Sequence, residues 1–241
     1  MLTNAMEVAS SYANDIDGVV WLVGILVGFW FFLAQAVFFG LIIKFRAKEG
    51  VRAQYITGET KEQMRWISWP HYLVLVCDLF VIYSAVSVWV KVKQDMPQTQ
   101  ETVRIISQQW AWTFVHAGPD NELGTDDDIR TVDELHVVAD RTYKFELTSL
   151  DVLHSFSVPA FRLKQDAIPG RVINGWFKPI KTGTFDIQCS EICGIGHGIM
   201  AAQLHVETPV EHAAWMKTHL PAATAISAHA PGDAPVQEKK P

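Results

Sequence analysis

Two long apolar runs occupy much of the first ninety residues. Residues 19–43 contain no charged side chain, and Gln35 is their one strongly polar residue. Residues 67–90 contain a single charged side chain, that of Asp78. A helix that rises about 1.5 Å per residue crosses a bilayer core of roughly 30 Å with about 20 apolar residues. The pattern therefore predicts two transmembrane helices, at residues 19–43 and 67–90.

Basic side chains indicate how these helices are oriented. The intervening loop, residues 44–66, holds six lysines and arginines, whereas residues 1–18 hold none and carry three carboxylates. Because cytoplasmic loops are enriched in Lys and Arg, we expect the loop to lie inside and both termini outside, with residues 1–18 as an external segment. The first run lacks the basic flank and short apolar stretch of a signal peptide, so we expect it to stay in the mature protein.

A period of two replaces the apolar runs in the second half of the chain. Apolar and polar side chains alternate in residues 143–148 and again in residues 185–189. Turn-forming Gly and Pro pairs lie at 118–119 and 169–170. Short strands separated by turns are typical of an all-β sandwich or Greek-key barrel, which we predict for residues 98–220.

The end of the chain differs from this β pattern. We expect a short amphipathic helix at residues 210–219 to close the β domain. Residues 221–241 are rich in Ala, Pro and His and have no periodicity, so we expect a disordered tail.

Charge narrows the classes of partner. The chain has a formal net charge of −6, and residues 98–220 alone hold 16 acidic and 10 basic side chains. An acidic balance argues against nucleic acid and leaves a basic protein partner open. The chain has three cysteines, and an odd number disfavours a simple disulfide framework. We expect Cys77, in the second apolar run, to act as a small apolar filler.

The segment from Cys189 to Met200 is rich in soft metal ligands. Cys189 and Cys193 are four residues apart. His197 follows Cys193 by four residues, and Met200 follows His197 by three residues. Thiolate, imidazole and thioether ligands together favour copper over hard ions such as magnesium. A mononuclear blue-copper site needs one cysteine, so the second indicates two bridged copper ions. His154, at the end of a strand-like run, is the candidate for a further ligand.

Three other interpretations of this segment stay open on the residues alone. Cys189 and Cys193 could form a disulfide in an oxidising compartment. Structural zinc accepts two Cys and two His ligands but leaves Met200 unused. A membrane-anchored copper chaperone could carry such a cysteine pair, although it should have a thioredoxin-like βαβ pattern, which we do not find.

Four motifs together resemble one known family. They are Gln109–Trp112, the segment Asp151-Val-Leu-His-Ser-Phe, the segment Asp166-Ala-Ile-Pro-Gly-Arg171 and the Cys-Ser-Glu-Ile-Cys cluster. With the two spans, the chain closely resembles subunit II of haem–copper cytochrome c oxidases, which carries the dinuclear CuA centre on a cupredoxin-like domain. The resemblance implies six copper ligands, of which Glu191 supplies its backbone carbonyl: His154, Cys189, Glu191, Cys193, His197 and Met200. It also implies that the Glu191 side chain reaches a magnesium ion at the interface with subunit I. Quinol-oxidising relatives lack these ligands and are disfavoured.

The resemblance further implies a function. A reduced cytochrome c or similar small carrier delivers single electrons to the copper pair, with Trp110 as the electron-accepting indole and Trp112 behind it. Electrons pass to haem in subunit I, where oxygen is reduced to water and protons are pumped across a bacterial inner membrane. The competing interpretation makes both tryptophans core residues of one strand face. A nitric oxide reductase could use the same electron input, and no Cys-x-x-Cys-His motif is present to hold a c-type haem.

Several remaining residues carry weaker predictions. The acidic side chains soon after Trp112 could steer a basic donor, line a solvated loop or bind calcium; they are Asp120, Glu122, Asp126, Asp127 and Asp128.

Where the family often has a glutamate for proton uptake this chain has Gln63, with Glu62 adjacent. Asp78 shares a helix face with His71 and is a candidate for function or for a hydrogen bond to subunit I. Five histidines have no ligand-like spacing and are expected at the surface: His116, His136, His205, His212 and His219.

Overall fold

The computed structural model describes residues 7–52 and 56–221, and these divide into two compact units. One unit contains the described residues up to Asn14 together with those from Asp95 onward, and the other spans Asp15–Gln94. The tail predicted at 221–241 lies almost wholly outside the described residues. Each unit is described separately below.

Two long helices form the first unit. Helix α1 (Ala13–Lys44) and helix α2 (Lys61–Trp89) both extend beyond the apolar runs of the sequence, and α2 continues into a π-helical turn at Val90–Gln94. Both are long and apolar enough to cross a membrane. The carboxylate of Asp15 lies 2.6 Å from Nζ of Lys91, so the start of α1 and the end of α2 are close together. The pair of helices therefore forms a hairpin.

Gln63 has a local role at the start of α2. The Thr60 hydroxyl accepts a hydrogen bond from the Gln63 backbone N–H, and the Gln63 side chain accepts one from the backbone N–H of Gly58 at 2.9 Å. These contacts satisfy donors that a helix start otherwise leaves open. The residue at the expected proton-uptake position thus caps a helix, whereas Asp78 and His71 are exposed on the surface of α2.

The described part of the second unit contains ten strands in two five-stranded sheets. The sheet orders are β3-β2-β1-β5-β8 and β4-β10-β9-β6-β7, and every pairing is antiparallel except β1 with β5 and β4 with β10. This non-sequential order is the Greek-key, cupredoxin-like arrangement predicted from the sequence. The strands are β1 (Glu101–Gln108), β2 (Ala111–His116), β3 (Ile129–Val132), β4 (Glu134–Val138), β5 (Tyr143–Ser149), β6 (His154–Val158), β7 (Leu163–Ala167), β8 (Ile173–Phe177), β9 (Gly183–Cys189) and β10 (Ala201–Glu207).

The alternation of the sequence decides which face of each strand is buried. On β5 the buried residues are Tyr143, Phe145, Leu147 and Ser149, as the period of two predicts. The inward side chains of both sheets meet in one aromatic core. Its largest fully buried members are Trp112, Phe114, Phe145, Phe156, Phe161 and Phe177.

The segment before α1 is part of the β unit. Backbone hydrogen bonds join Ala9 to Ala160 and Ile180, and the Ser10 hydroxyl donates to the Phe161 carbonyl. Tyr12 is fully buried, and its ring meets that of Trp176 edge-on at 5.1 Å. The chain therefore begins α1 from the same unit that follows α2.

Helix α3 (Pro209–His219) closes the β unit, close to the predicted 210–219. It begins with a complete capping box between Thr208 and Glu211. The expectation that five histidines are surface residues is wrong for three of them, because His116, His136 and His212 are buried. The alternation does point His136 out of the core, but α3 then covers that outer face.

Candidate metal centre

One loop and one strand end bring the predicted soft ligands together. Cys189 ends β9, Met200 immediately precedes β10, and Cys193 and His197 lie on the loop between these strands. His154 begins β6, whose Phe156 pairs with Cys189. Antiparallel pairing of β9 with both β6 and β10 thus places ligands that are 46 residues apart in sequence at one end of the sheet.

Donor atoms of these residues form a chain of short contacts. The two Sγ atoms of Cys189 and Cys193 are 3.7 Å apart. His154 Nδ1 lies 3.9 Å from Cys189 Sγ, and His197 Nδ1 lies 3.7 Å from Cys193 Sγ. Met200 Sδ is 3.9 Å from Cys193 Sγ. The imidazoles therefore approach different sulfurs of the pair.

The centre is shielded from water, and its thiols are free. His154, Cys193 and Met200 are buried, and Cys189 is almost so. At 3.7 Å the sulfurs are not bonded, because a disulfide bond is about 2.05 Å long. Burial, reinforced by the neighbouring Cys189 thiol, raises the pKa of Cys193 to about 11. A positive ion is what would make a thiolate favourable here.

The donor set fits a soft metal. Two ligands bound at about 2.0–2.3 Å to one tetrahedral ion lie roughly 3.5 Å apart, close to the spacings seen here. Metal-binding atoms of His154, Cys189 and Cys193 all lie within 4.8 Å of one another, whereas His197 is not part of that group. Thiol, imidazole and thioether donors suit copper, and the thioether disfavours zinc.

The backbone carbonyl and the side chain of Glu191 point to different partners. The Cys189 thiol donates to the Glu191 carbonyl oxygen at 3.3 Å, which places that oxygen beside the sulfur pair. The carboxylate forms a 3.0 Å ion pair with Nζ of Lys164. The chain by itself thus offers magnesium one carboxylate that already has a partner, and the magnesium site stays a prediction.

Asp151 fixes the orientation of the His154 ring. His154 Nε2–H donates to Asp151 Oδ1 at 2.9 Å, which leaves Nδ1 to face Cys189. The other carboxylate oxygen accepts the Gln109 backbone N–H at 2.7 Å. Although burial acts to raise it, these hydrogen bonds lower the pKa of Asp151 overall. Such carboxylate–imidazole pairs set the tautomer of metal-binding histidines.

Gln109 and Trp110 hold the ligand loop from outside. Gln109 Nε2 and Trp110 Nε1 both donate to the Cys193 carbonyl oxygen, at 2.7 and 3.2 Å. The Trp110 ring lies so close to the loop that a Cβ at Gly196 would be 2.4 Å from its Cδ2 atom. Gly194 has a φ of +117°, which an L side chain rarely adopts. The glycines therefore let the indole pack against the loop.

The two tryptophans differ in exposure. Trp110 is 37% exposed, whereas Trp112 is fully buried beside His154, with ring centroids 6.2 Å apart. The interpretation that makes both of them core residues on one face is therefore wrong. Trp110 connects the surface to the ligand loop, and Trp112 supports the His154 ring from the core.

An apolar rim surrounds the exposed edge of the centre. Ile192, Ile195 and Ile199, all on the ligand loop, are 80%, 96% and 81% exposed. These exposed side chains were not predicted, although the sequence places Ile195 between two glycines of the loop, with Ile192 and Ile199 within four residues of it. Exposed apolar patches of this kind mark interaction surfaces.

The acidic loop is not beside Trp110. Residues 117–128 follow the end of β2, while Trp110 precedes its start, and a six-residue strand spans about 17–20 Å. These carboxylates therefore lie about one strand length from Trp110, so any steering of a donor by them acts away from that indole. Several of them accept hydrogen bonds from the loop's own groups, such as Asp128 from the Gly124 N–H and Asp127 from the Thr125 hydroxyl. Calcium binding stays untested.

Comparison with known proteins gives a consistent result. The family described as cytochrome C oxidase subunit II, periplasmic domain, matches residues 101–207. The chain is 33% identical over 235 residues to the "Alternative cytochrome c oxidase subunit 2" of Bradyrhizobium diazoefficiens, covering 86% of this chain and 79% of that relative.

Other similarities cover shorter stretches. Cytochrome c oxidase subunit 2 of Cereibacter sphaeroides is 30% identical over 155 residues, which cover 52% of this chain and about half, 51%, of that relative. The crystal structure of the periplasmic domain of subunit II (CoxB) of Bradyrhizobium japonicum is similar with 31% identity and a TM-score of 0.47, covering 52% of this chain and 96% of that one. By the match over most of both chains, this protein belongs to the cytochrome c oxidase subunit II family.

Proposed function

We propose that this chain is the electron-accepting subunit of a proton-pumping terminal cytochrome c oxidase and holds a dinuclear CuA centre. The observation that carries the proposal is the donor arrangement: two thiols 3.7 Å apart, each approached by a different imidazole. Because His197 lies outside the compact group of donor atoms from His154, Cys189 and Cys193, two copper ions would be needed to use both imidazoles together with the two thiols. The proposed ligands are His154, Cys189, the Glu191 carbonyl, Cys193, His197 and Met200.

The chain's own residues would keep such a centre rigid. When bound, copper supplies a one-electron redox couple. Asp151 holds the His154 ring, and Gln109 and Trp110 hold the Cys193 carbonyl. Burial of the sulfurs keeps water out. Ligands fixed in this way move little when charge changes, which is the protein's contribution to fast electron transfer.

Trp110 is the proposed site of electron input. Its indole is partly exposed, and its Nε1–H reaches the Cys193 carbonyl, so surface and ligand are joined by one hydrogen bond. The exposed residues Ile192, Ile195 and Ile199 lie on the same loop as Cys193. A small cytochrome c-type carrier would dock there by apolar contact and pass one electron at a time. Subunit I and the other oxidase subunits would receive the electron in the membrane.

Membrane topology follows from the two units. The segment at Ala9–Tyr12 packs in the same β unit that follows α2, so the start of α1 and the end of α2 belong on one side. Together with the basic loop 44–66, this supports a two-pass protein of the bacterial inner membrane, with the copper domain on the periplasmic side.

The test of this function uses the full chain in detergent, loaded with copper. Stopped-flow mixing with a reduced small c-type cytochrome should give bleaching of the copper absorption that matches cytochrome oxidation, one electron per copper pair. Substitution Trp110→Phe should slow this reaction without changing the copper content. If cytochrome oxidation is equally fast in the variant, Trp110 is not the site of electron input. Measuring whether the purified complex consumes oxygen or nitric oxide then distinguishes the oxidase from a nitric oxide reductase.

A further inference from the structure

Five of the nine histidines gather around a single tryptophan, away from the metal centre. Ring centroids of His136, His212 and His219 lie 4.3, 5.2 and 5.1 Å from that of Trp215, with planes tilted by 12°, 29° and 27°. His116 meets Trp215 edge-on at 5.0 Å. We call these rings, with His205, the histidine cluster.

The cluster joins helix α3 to the outer face of the β4–β10 pair. His212, Trp215 and His219 are on α3, whereas His136 and His205 are direct neighbours in the register of β4 with β10. Their two rings stack at 4.5 Å. His116 comes from the end of β2 and contacts Thr131 of β3. At this point α3 meets the β unit through the stack of His136 on Trp215, the edge-on contact of His116 with Trp215 and the hydrogen bond of His212 to Glu207.

Carboxylates offset only part of the charge that this cluster could acquire. Glu207 accepts hydrogen bonds from Nδ1 of His136 at 2.8 Å and from Nδ1 of His212 at 2.9 Å. The Glu134 carboxylate lies 3.9 Å from His136 Nε2, an atom that is buried and has no hydrogen-bond partner. Two carboxylates thus contact the five imidazoles. The charges of His136, His212 and His219 act on His116, and Glu101, Arg141 and Lys217 line the cavity beside it.

Ring stacking distinguishes this cluster from a metal site. Parallel rings direct their nitrogens past one another instead of toward a common point. Among the described residues, no three of the cluster's ligand atoms come within the mutual distance that the thiol centre achieves.

We propose that the histidine cluster is an acid-sensitive clasp, which holds α3 on the β unit near neutral pH and releases it as the surroundings acidify. Protonation would place like charges on His116 and His136 of the β unit and on His212 and His219 of α3, and neighbouring like charges oppose each other across this contact. Release would uncover the cavity of about 580 Å³ that α3 lines together with His116, Arg141 and Tyr143.

Two histidines whose pKa is lowered in the folded chain give the direction of the pH effect on the clasp. Burial, and then the charges of His136, His212 and His219, lower the pKa of His116 to about 3. Burial and His136 also lower the pKa of His205, although Glu134 and Glu207 oppose this. Between pH 6.5 and 3 the released form binds more protons than the clasped form, so the clasp weakens as pH falls. Each such histidine changes the release constant by up to about tenfold per pH unit.

Amide hydrogen exchange of the copper-loaded full chain tests the clasp. After correction for the intrinsic exchange rate, protection of the α3 amides should fall at least about tenfold between pH 6.5 and 5. Protection of residues 187–189, at the Cys189 end of β9, should stay constant, because Gln188 pairs with Ala201, roughly 20 Å along β10 from Glu207. The other end of β9 is not used as the reference, since Thr184 contacts His205. Constant protection of α3 down to pH 4.5 would overturn the proposal.

Variants make the test specific. Substitution His205→Gln removes a half-buried titrating ring and should move the loss of protection to lower pH, and His116→Gln should do the same if the variant folds. Lys217→Gln, on an exposed position of α3, is the matched control and should behave as the parent chain. If zinc added to the copper-loaded chain at pH 7 increases protection of α3, the cluster is a metal site and the clasp is wrong.

Discussion

Histidines lie in two regions of the β unit, the candidate metal centre and the histidine cluster. Their rings are oriented differently in the two regions. In the metal centre, Asp151 directs the His154 ring, so one nitrogen faces Cys189. In the histidine cluster, rings lie flat against Trp215 and against each other, and Glu207 accepts hydrogen bonds from two of them. The first arrangement points nitrogens at a shared space, and the second stacks ring faces. Residue type alone therefore does not identify a metal ligand.

The largest expected effect on copper binding comes from replacing a cysteine of the ligand loop rather than the cysteine of α2. Substitution Cys193→Ser removes one of the two thiols proposed to hold the copper pair, and with it a neighbour of both His197 and Met200. Copper bound per chain should fall below two, and the electronic signature of a shared electron should vanish. Metal analysis and electron paramagnetic resonance measure this. Cys77→Ser, in α2, is the matched control, and loss of the copper pair in that variant instead would contradict the assigned centre.

The second prediction concerns the tautomer of His154. In Asp151→Asn, the amide can accept the His154 Nε2–H but cannot also accept the Gln109 N–H through its nitrogen. Loss of such supporting hydrogen bonds typically lowers metal affinity by about 10–100-fold. Competition titration with a copper chelator measures the change, with Asp186→Asn on β9 as control. Equal copper affinity in the two variants would show that Asp151 does not support His154 as a ligand.

The third prediction tests the fit between Trp110 and the ligand loop. In Gly196→Ala the new Cβ would lie 2.4 Å from the indole, so the ring must move, whereas a Cβ at Gly198 would meet nothing within 4 Å. Forced repacking costs about 1–3 kcal/mol. Chemical denaturation should show that loss for Gly196→Ala only, and stopped-flow mixing should show slower copper reduction. Similar behaviour of the two alanine variants would contradict the packing.

The smallest expected effect compares the apolar rim with the acidic loop. Ile195→Asn should weaken donor association by up to roughly 1 kcal/mol, because most residues of an interface cost no more than about that when they are replaced. Asp126→Asn, at the far end of β2, should change association little at physiological salt. Association rates at two salt concentrations distinguish them. A larger loss of association in Asp126→Asn than in Ile195→Asn would show that the donor docks at the acidic loop.

Local patterns in the sequence were sufficient to predict the fold and to group the soft donor residues of one loop, but not to predict the residues that surround them. Alternation predicted the buried face of β5, and close spacing grouped Cys189 with Met200. The roles of Asp151 and Gln109 depend on contacts between β1, β6 and the ligand loop, which no short motif shows. The acidic loop looked close to Trp110 in sequence, but β2 carries the chain away. The histidine cluster was missed because its members are spread over 104 positions, from His116 to His219, and meet only when α3 folds onto the outer sheet face.

The most direct test of the central claim is electron paramagnetic resonance of the full chain loaded with copper and partly reduced. Two thiols 3.7 Å apart with one imidazole at each predict two copper ions that share a single unpaired electron. The spectrum should show hyperfine splitting from two equivalent copper nuclei, with two coppers per chain. A spectrum of one isolated copper nucleus, or a single bound copper, would contradict the account.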